Sequence, residues 1–315
     1  MLSVSTLHDA AGQRMQRSNK STTHFAKPLS GLGLVAEGGG QRGVFTAGVL
    51  DSWQLAGFNP FEVLVGTSAG AQNIASFLSQ QTGYAYSLIA DLTVSSDFFN
   101  PWRVLTGKNA MDLDWYFGKA ATDSYQFDTP QAHQNAKGRT VRFSSSNPKN
   151  FATRLIDPLQ EGWLNSLRYS SAIPYLYKSD SLIDGGVTAP IPVQEAHALG
   201  AQTIVTIRTT SGAQHAMPKL FDKIKPLVCN KNHCLHFMRM LKQHQSACEQ
   251  AEHFISQPPA QVTVFEIKPE IALRTKVLGS SHDDIVADYK QGFSIGMRFI
   301  KTHQHDLMQG KRAVA

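Results

Sequence analysis

The chain has 315 residues, 42% of them hydrophobic and 17% charged, with a formal charge of +6 and a pI near 9.2. That balance excludes a disordered or fibrous chain, and no apolar run reaches the roughly 20 residues that a membrane-spanning helix needs. The basic excess is modest and spread along the sequence; with no nucleic-acid-binding motif and no internal repeat, no nucleic-acid partner is expected. Cys229, Cys234 and Cys248 crowd into one stretch in an odd number, a poor disulfide framework that points to a reducing, cytoplasmic compartment.

The first thirty residues are polar, with Arg14, Arg17, Lys20 and Lys27 scattered among them and no apolar signal-peptide core. They are expected to form a flexible N-terminal tail, residues 1–30, ahead of a single domain, 31–315. An apolar strand at 32–36 runs into Gly38, Gly39, Gly40 and Gly43, after which Val44, Ala47, Leu50 and Trp53 recur at helical spacing as far as Gly57. The unit then repeats: strand at 61–65, tight turn at 66–70, and a helix with Ala71, Ile74, Ala75 and Leu78 on one face. Further strands are expected at 141–145, 182–183, 203–208 and 262–267, spaced widely enough for helical crossovers. The pattern predicts an α/β fold, three-layer α/β/α with a mostly parallel central sheet. A helical C-terminal portion begins at about 215; within it Ile285, Val286, Tyr289, Phe293, Ile295 and Phe299 fall near helical spacing, and this helix is expected to pack back on the sheet.

Three motifs carry chemistry. Gly66-Thr67-Ser68-Ala69-Gly70 is a G-x-S-x-G sequence between a predicted strand and a predicted helix, the setting of a nucleophile elbow. Gly38-Gly39-Gly40-Gln41-Arg42-Gly43 sits in the same setting, where consecutive glycines and a helix N-terminus converge N–H groups on an anion. That anion is either a bound phosphate or the oxyanion of acyl transfer. The loop also satisfies the dinucleotide fingerprint G-x-G-x-x-G, which wants an acidic residue at the C-terminal end of the second strand. Glu62 has the spacing but opens that strand, and the Ser68 turn occupies its end. Asp184-Gly185-Gly186 places a carboxylate after apolar Leu182 and Ile183; in isolation the tripeptide reads as a turn.

Together and in this order, the three pieces resemble the patatin-like phospholipase family, whose pattern is G-G-G-x-R/K-G, then G-x-S-x-G, then D-G-G or D-G-A. The resemblance also takes in Ser170-Ser171-Ala172-Ile173-Pro174, Pro190 and Pro192, and spans roughly residues 32–208. It implies a serine acyl hydrolase of phospholipase A or lysophospholipase type, with no metal or organic cofactor. By the same resemblance Ser68 is the nucleophile and Asp184 the catalytic base. The N–H groups of Gly39 and Gly40 form the oxyanion hole, shaped by Gly38, Arg42 and Gly43; Gly66 and Gly70 flank the elbow, and Gly185 and Gly186 open the Asp loop. The implied substrate is a lipid or acyl ester, met by a cytoplasmic enzyme with peripheral contact to an anionic membrane surface. An esterase or thioesterase acting on soluble acyl compounds uses the same residues, and a nucleotide-binding Rossmann-like protein is the non-enzyme alternative.

Two further features are weighed. Cys229, His233, Cys234, His236, His244, Cys248 and His253 match no zinc-finger spacing. Leu235, Met238, Leu241 and Phe254 fall near helical spacing, so an amphipathic helix without metal is expected. The aromatics Phe98, Phe99, Trp102, Trp115, Tyr116 and Phe117, with Arg103 and Lys108 among them, read as core, as an acyl-binding wall or as an interfacial surface.

Overall fold

The apolar runs of the sequence become the strands of one sheet. A computed structural model describes residues 28–122, 124–210 and 234–308; most of the expected tail (1–27), Cys229 and His233 lie outside the described residues. The strands are β1 Leu29–Ala36, β2 Phe61–Thr67, β3 Thr140–Ser146, β4 Thr153–Ile156, β5 Ile183–Asp184, β6 Thr203–Ile207 and β7 Thr263–Ile267. Their order is β4-β3-β2-β1-β6-β7, with β5 paired to β3. The pairs β1–β2, β1–β6, β2–β3 and β6–β7 are parallel, while β4 and β5 run antiparallel to β3. The three-layer α/β/α architecture with a mostly parallel sheet is therefore the observed one. β4 is an addition to the sequence reading, because Thr-Arg-Leu-Ile is short, half exposed and lacks a continuous apolar run.

The central strands are buried on both faces, as parallel strands between helical layers are. Leu34, Leu64 and Val205 point into one core, while Val35, Val63, Val65 and Ile204 point into the other. On the first face lie α1 Gly43–Leu55, α2 Ala69–Ser79, α3 Leu113–Ala120, α4 Thr129–Ala136 and α5 Trp163–Ser170; on the second lies α6 Val193–Ala198. Two long helices follow, α7 Cys234–Ser256 and α8 His282–Met308.

The structure refines what was expected of those long helices. α8 packs chiefly along α1 and shares the sheet's core through Ile295, Phe299 and Ile300, with Phe299 against Phe265 of β7. The two helices approach backbone to backbone: a Cβ on Gly292 would strike the Phe45 carbonyl, and one on Gly48 the Tyr289 carbonyl. The Trp53 indole N–H donates to the Gly296 carbonyl at 3.1 Å, and its ring lies between Phe61 and Phe299. On α7 the buried face is Phe237, Met240, His244, Ala247, Cys248, Ala251 and Phe254, while Leu235 and Met238 are exposed. The helix is amphipathic as expected, but rotated, because a histidine and a cysteine belong to its core face.

One consequence of the register places the site. β2 pairs with residues 140–144 of β3 on one edge and β4 pairs with 143–146 on the other. β5 pairs with Ser145 and Ser146, so it must take β2's edge just beyond Thr67, where β2 leaves the sheet. Asp184 therefore arrives beside Ser68 although 116 positions separate them.

Candidate active site

Ser68 stands between the end of β2 and the start of α2 with φ 53° and ψ −121°, a conformation that residues bearing a Cβ rarely hold. The surroundings impose it. The Ser68 N–H donates to Ser170 Oγ at 2.8 Å, and the Ser170 hydroxyl donates to the Ser144 carbonyl at 2.7 Å. The Thr67 hydroxyl donates to the Ala189 carbonyl at 2.6 Å. Gly66 lies against the backbone of Ala71 and Gly70 against the Ala36 carbonyl, close approaches that leave no room for side chains.

Asp184 is 2% exposed and ends β5. Its N–H donates to the Ala172 carbonyl at 2.9 Å and its own carbonyl accepts the Ser146 hydroxyl at 2.9 Å. Oδ1 accepts the Gly186 N–H at 2.6 Å, and the Ser68 side chain lies near enough to the carboxylate to act on its pKa. Burial pushes the Asp184 carboxyl up to about 6, against the pull of the Gly186 and Ser68 hydrogen bonds. Gly185 is packed on the Ser144 carbonyl, fixing the turn that follows.

In the glycine loop the Gly38 N–H donates to the Pro190 carbonyl at 3.1 Å, that of Gln41 to Val277 at 3.0 Å and that of Arg42 to Gly39 at 3.3 Å. The Gly43 N–H turns back on the carbonyls of Gly40 and Gln41. Gly39 and Gly40 are left as the loop N–H groups for which the described residues supply no acceptor. Gly40 has φ +58° and its missing Cβ faces the Val277 carbonyl, so both the conformation and the close approach require glycine there. Arg42 is buried, and its Nε donates to the Gly39 carbonyl at 3.4 Å, so it braces the loop. Burial lowers its pKa, with Glu37 opposing. Glu37 is itself tied to Arg208, Nε to Oε2 at 3.1 Å.

Ser68 and Gly40 border a largely apolar cleft. Phe98, Met111, Tyr116 and Ile173 line it, and Val277 and Leu278 close it from the C-terminal part of the chain. Of the aromatics at 97–117, Phe98 and Tyr116 are thus both core and cleft wall, whereas Trp102 is 74% exposed. Arg103 is turned inward, paired with Asp112 at 3.3 Å and bonded to the carbonyls of Phe98 and Ala110.

Sequence reasoning missed Ser170 as the support of the elbow and Val277 as a wall of the cleft. Ser170 belongs to a stretch the resemblance had marked; Val277 lies in a loop without any motif. Glu62, the candidate ribose ligand, instead accepts the Gly31 N–H at 2.7 Å, at the far end of the strand from the glycine loop. Among the described residues no group of three or more His, Cys, Asp or Glu could hold a metal, and no helix is long and apolar enough to cross a membrane.

A hydroxyl beside a buried carboxylate, with two N–H donors that meet no acceptor among the described residues and an apolar cleft, is an arrangement suited to acyl transfer. The sequence model of patatin-like phospholipase matches residues 34–197, and that of a domain of unknown function (DUF6363) matches 234–308. The uncharacterized protein YjjU of Escherichia coli (strain K12) is 36% identical over 278 residues, 86% of this chain and 77% of its own. Lysophospholipase NTE1 of Saccharomyces cerevisiae is 28% identical over 216 residues, 61% of this chain and 12% of that protein. Among solved structures, human GIVD cytosolic phospholipase A2 aligns with a TM-score of 0.45 at 10% identity, over 89% of this chain and 60% of that one. The chain belongs to the patatin-like phospholipase family, a membership that supports acyl hydrolase activity on lipid esters.

Proposed function

We propose that the protein is a phospholipase A or lysophospholipase that works through a Ser68–Asp184 dyad and an acyl-enzyme. The observation that carries this reading is the placement of the strained Ser68, which borders the apolar cleft, beside the buried Asp184 carboxylate. Asp184 takes the Ser68 proton as Oγ attacks the ester carbonyl carbon, and the carbonyl oxygen becomes an oxyanion held by the N–H groups of Gly39 and Gly40. The C–O bond to the alcohol then breaks, and the alcohol leaves with the proton from Asp184. Water, deprotonated by Asp184, releases the fatty acid from Ser68. A carboxyl raised to about 6 is a better base toward a hydroxyl than an ordinary aspartate, while still ionised at neutral pH.

The lipid part of the proposal rests on surface shape. The 3-10 turn Pro101–Thr106 rises beside the cleft-lining Phe98 and Met111 and exposes Trp102, Val104 and Leu105, apolar side chains fit to enter a bilayer surface. With Arg103 engaged internally, insertion of these side chains supplies the contact and charge plays the smaller part.

The test is fatty-acid release from phospholipid vesicles and from a short-chain activated ester, with wild type, Ser68→Ala and Asp184→Asn. Both variants are expected to lose at least about 10³-fold in kcat on both substrates. Wild-type activity on the short ester alone would mean a soluble-ester enzyme, and wild-type inactivity on both would remove the hydrolase reading.

A further inference from the structure

Besides walling the cleft with Val277 and Leu278, the segment matched by the domain of unknown function approaches the Asp184 turn through α7. On α7, His244 is buried, 4% exposed, with Nδ1 2.6 Å from the carbonyl oxygen of Gly186. A carbonyl only accepts, so Nδ1 carries the proton and Nε2 is left as an acceptor. Cys248, one turn along the helix, has Sγ 3.6 Å from that Nε2. Burial, together with Glu37 and Glu252, pushes the Cys248 thiol up to about 12; it stays S–H at neutral pH and donates to Nε2, which holds the tautomer. On the other side of the same glycine, the Gly186 N–H meets Asp184 Oδ1 at 2.6 Å.

Gly186 lacks the side chain that would restrict its own φ and ψ. Where its N–H points is therefore decided by what grips it at either end, and at the carbonyl end the grip is His244. We propose that His244 is a positioning residue for Asp184: by holding the Gly186 carbonyl it aims the Gly186 N–H at Oδ1 and keeps the carboxylate turned to Ser68. The proposal rests on the reading of Asp184 as the base of an acyl hydrolase. It gives residues 234–308 a second contact with the site, and it assigns a role to His244 and Cys248.

The experiment compares His244→Phe, which keeps ring volume without the N–H, with His244→Asn, whose amide N–H₂ occupies the place of Nδ1–H. Hydrolysis of the short activated ester and amide hydrogen exchange of the peptide spanning residues 182–190 are measured on the full chain, with Tm as the folding check. His244→Phe is expected to lower kcat roughly 10- to 100-fold with KM within about twofold, and to speed exchange in that peptide. His244→Asn is expected to stay within about threefold of wild type in kcat and to keep the slow exchange. His244→Leu serves in place of His244→Phe if the latter does not fold. Unchanged kcat and exchange in His244→Phe, or equal losses in the Phe and Asn variants at wild-type Tm, overturns the proposal. A wild type inactive on esters would remove the acyl-hydrolase reading instead, and the exchange comparison would still decide the brace.

Discussion

At Asp184 catalysis and stability pull in opposite directions. The carboxyl is raised from an ordinary 3.8 to about 6 by burial, so its neutral form is favoured by the folded state. The stability this represents is fully present below about pH 3.8 and is lost as pH rises through about 6, a cost of up to about 3 kcal/mol to the folded enzyme at neutral pH. Asp184→Asn can keep both hydrogen bonds without the charge. It is expected to raise Tm at pH 7.5, with the gain shrinking towards about pH 4, while activity disappears. The matching kinetic prediction is an acid limb in wild-type kcat/KM centred near pH 6, since Asp184 must be ionised to accept the proton. A profile flat through that region, or a gain of the Asn variant over wild type no larger at pH 7.5 than at about pH 4, would count against this account of the residue. The motif spacing made Asp184 and Ser68 legible as candidates; the shifted carboxyl was not, because desolvation depends on what covers the residue.

Among the elements, α8 shows how far periodicity carries. Its residues alternate as an amphipathic helix should, and the helix is there, but its partner is α1 and not chiefly the sheet. The reason is glycine: Gly48, Gly292 and Gly296 let the two backbones meet, and no hydropathy pattern registers a missing side chain. Gly292→Val would drive its side chain into the Phe45 carbonyl and is expected to cost at least about 1–3 kcal/mol by denaturant unfolding. Gly118→Val, on α3 with open space around its Cα, is the control and should change stability little. Equal effects would mean that the helix crossing tolerates a side chain. The rotated face of α7 has a related cause: His244 and Cys248 score as indifferent residues, yet a hydrogen bond to the Gly186 carbonyl lets the histidine lie inside.

For the molecule as a whole, the stretches matched by two sequence models touch each other at several places. β7 extends the sheet beside β6, α8 covers α1, Val277 holds the Gln41 N–H and walls the cleft, and the Gln41 carboxamide oxygen accepts the Ser280 N–H at 2.8 Å. We propose that the domain expected over residues 31–315 folds as one unit. Calorimetry should then give a single transition whose van't Hoff and calorimetric enthalpies agree, and two resolved transitions would refute it.

Local chemistry accounts for what the sequence determined by itself: a buried apolar run makes a parallel strand, glycines between strand and helix make a turn, and a serine and an aspartate at strand ends mark a candidate site. Those signals are carried by neighbouring residues, so they survive without coordinates. The tertiary structure alone decided the rest. Asp184 reaches Ser68 because β5 takes the edge of β3 that β2 vacates, the Gly39 and Gly40 N–H groups meet no acceptor among the described residues while Pro190 and Val277 take those of their neighbours, and the cleft closes with residues more than 200 positions from the serine. Each depends on which distant surfaces share the cost of burial and which buried polar groups find partners, and neither is written in any one stretch of chain.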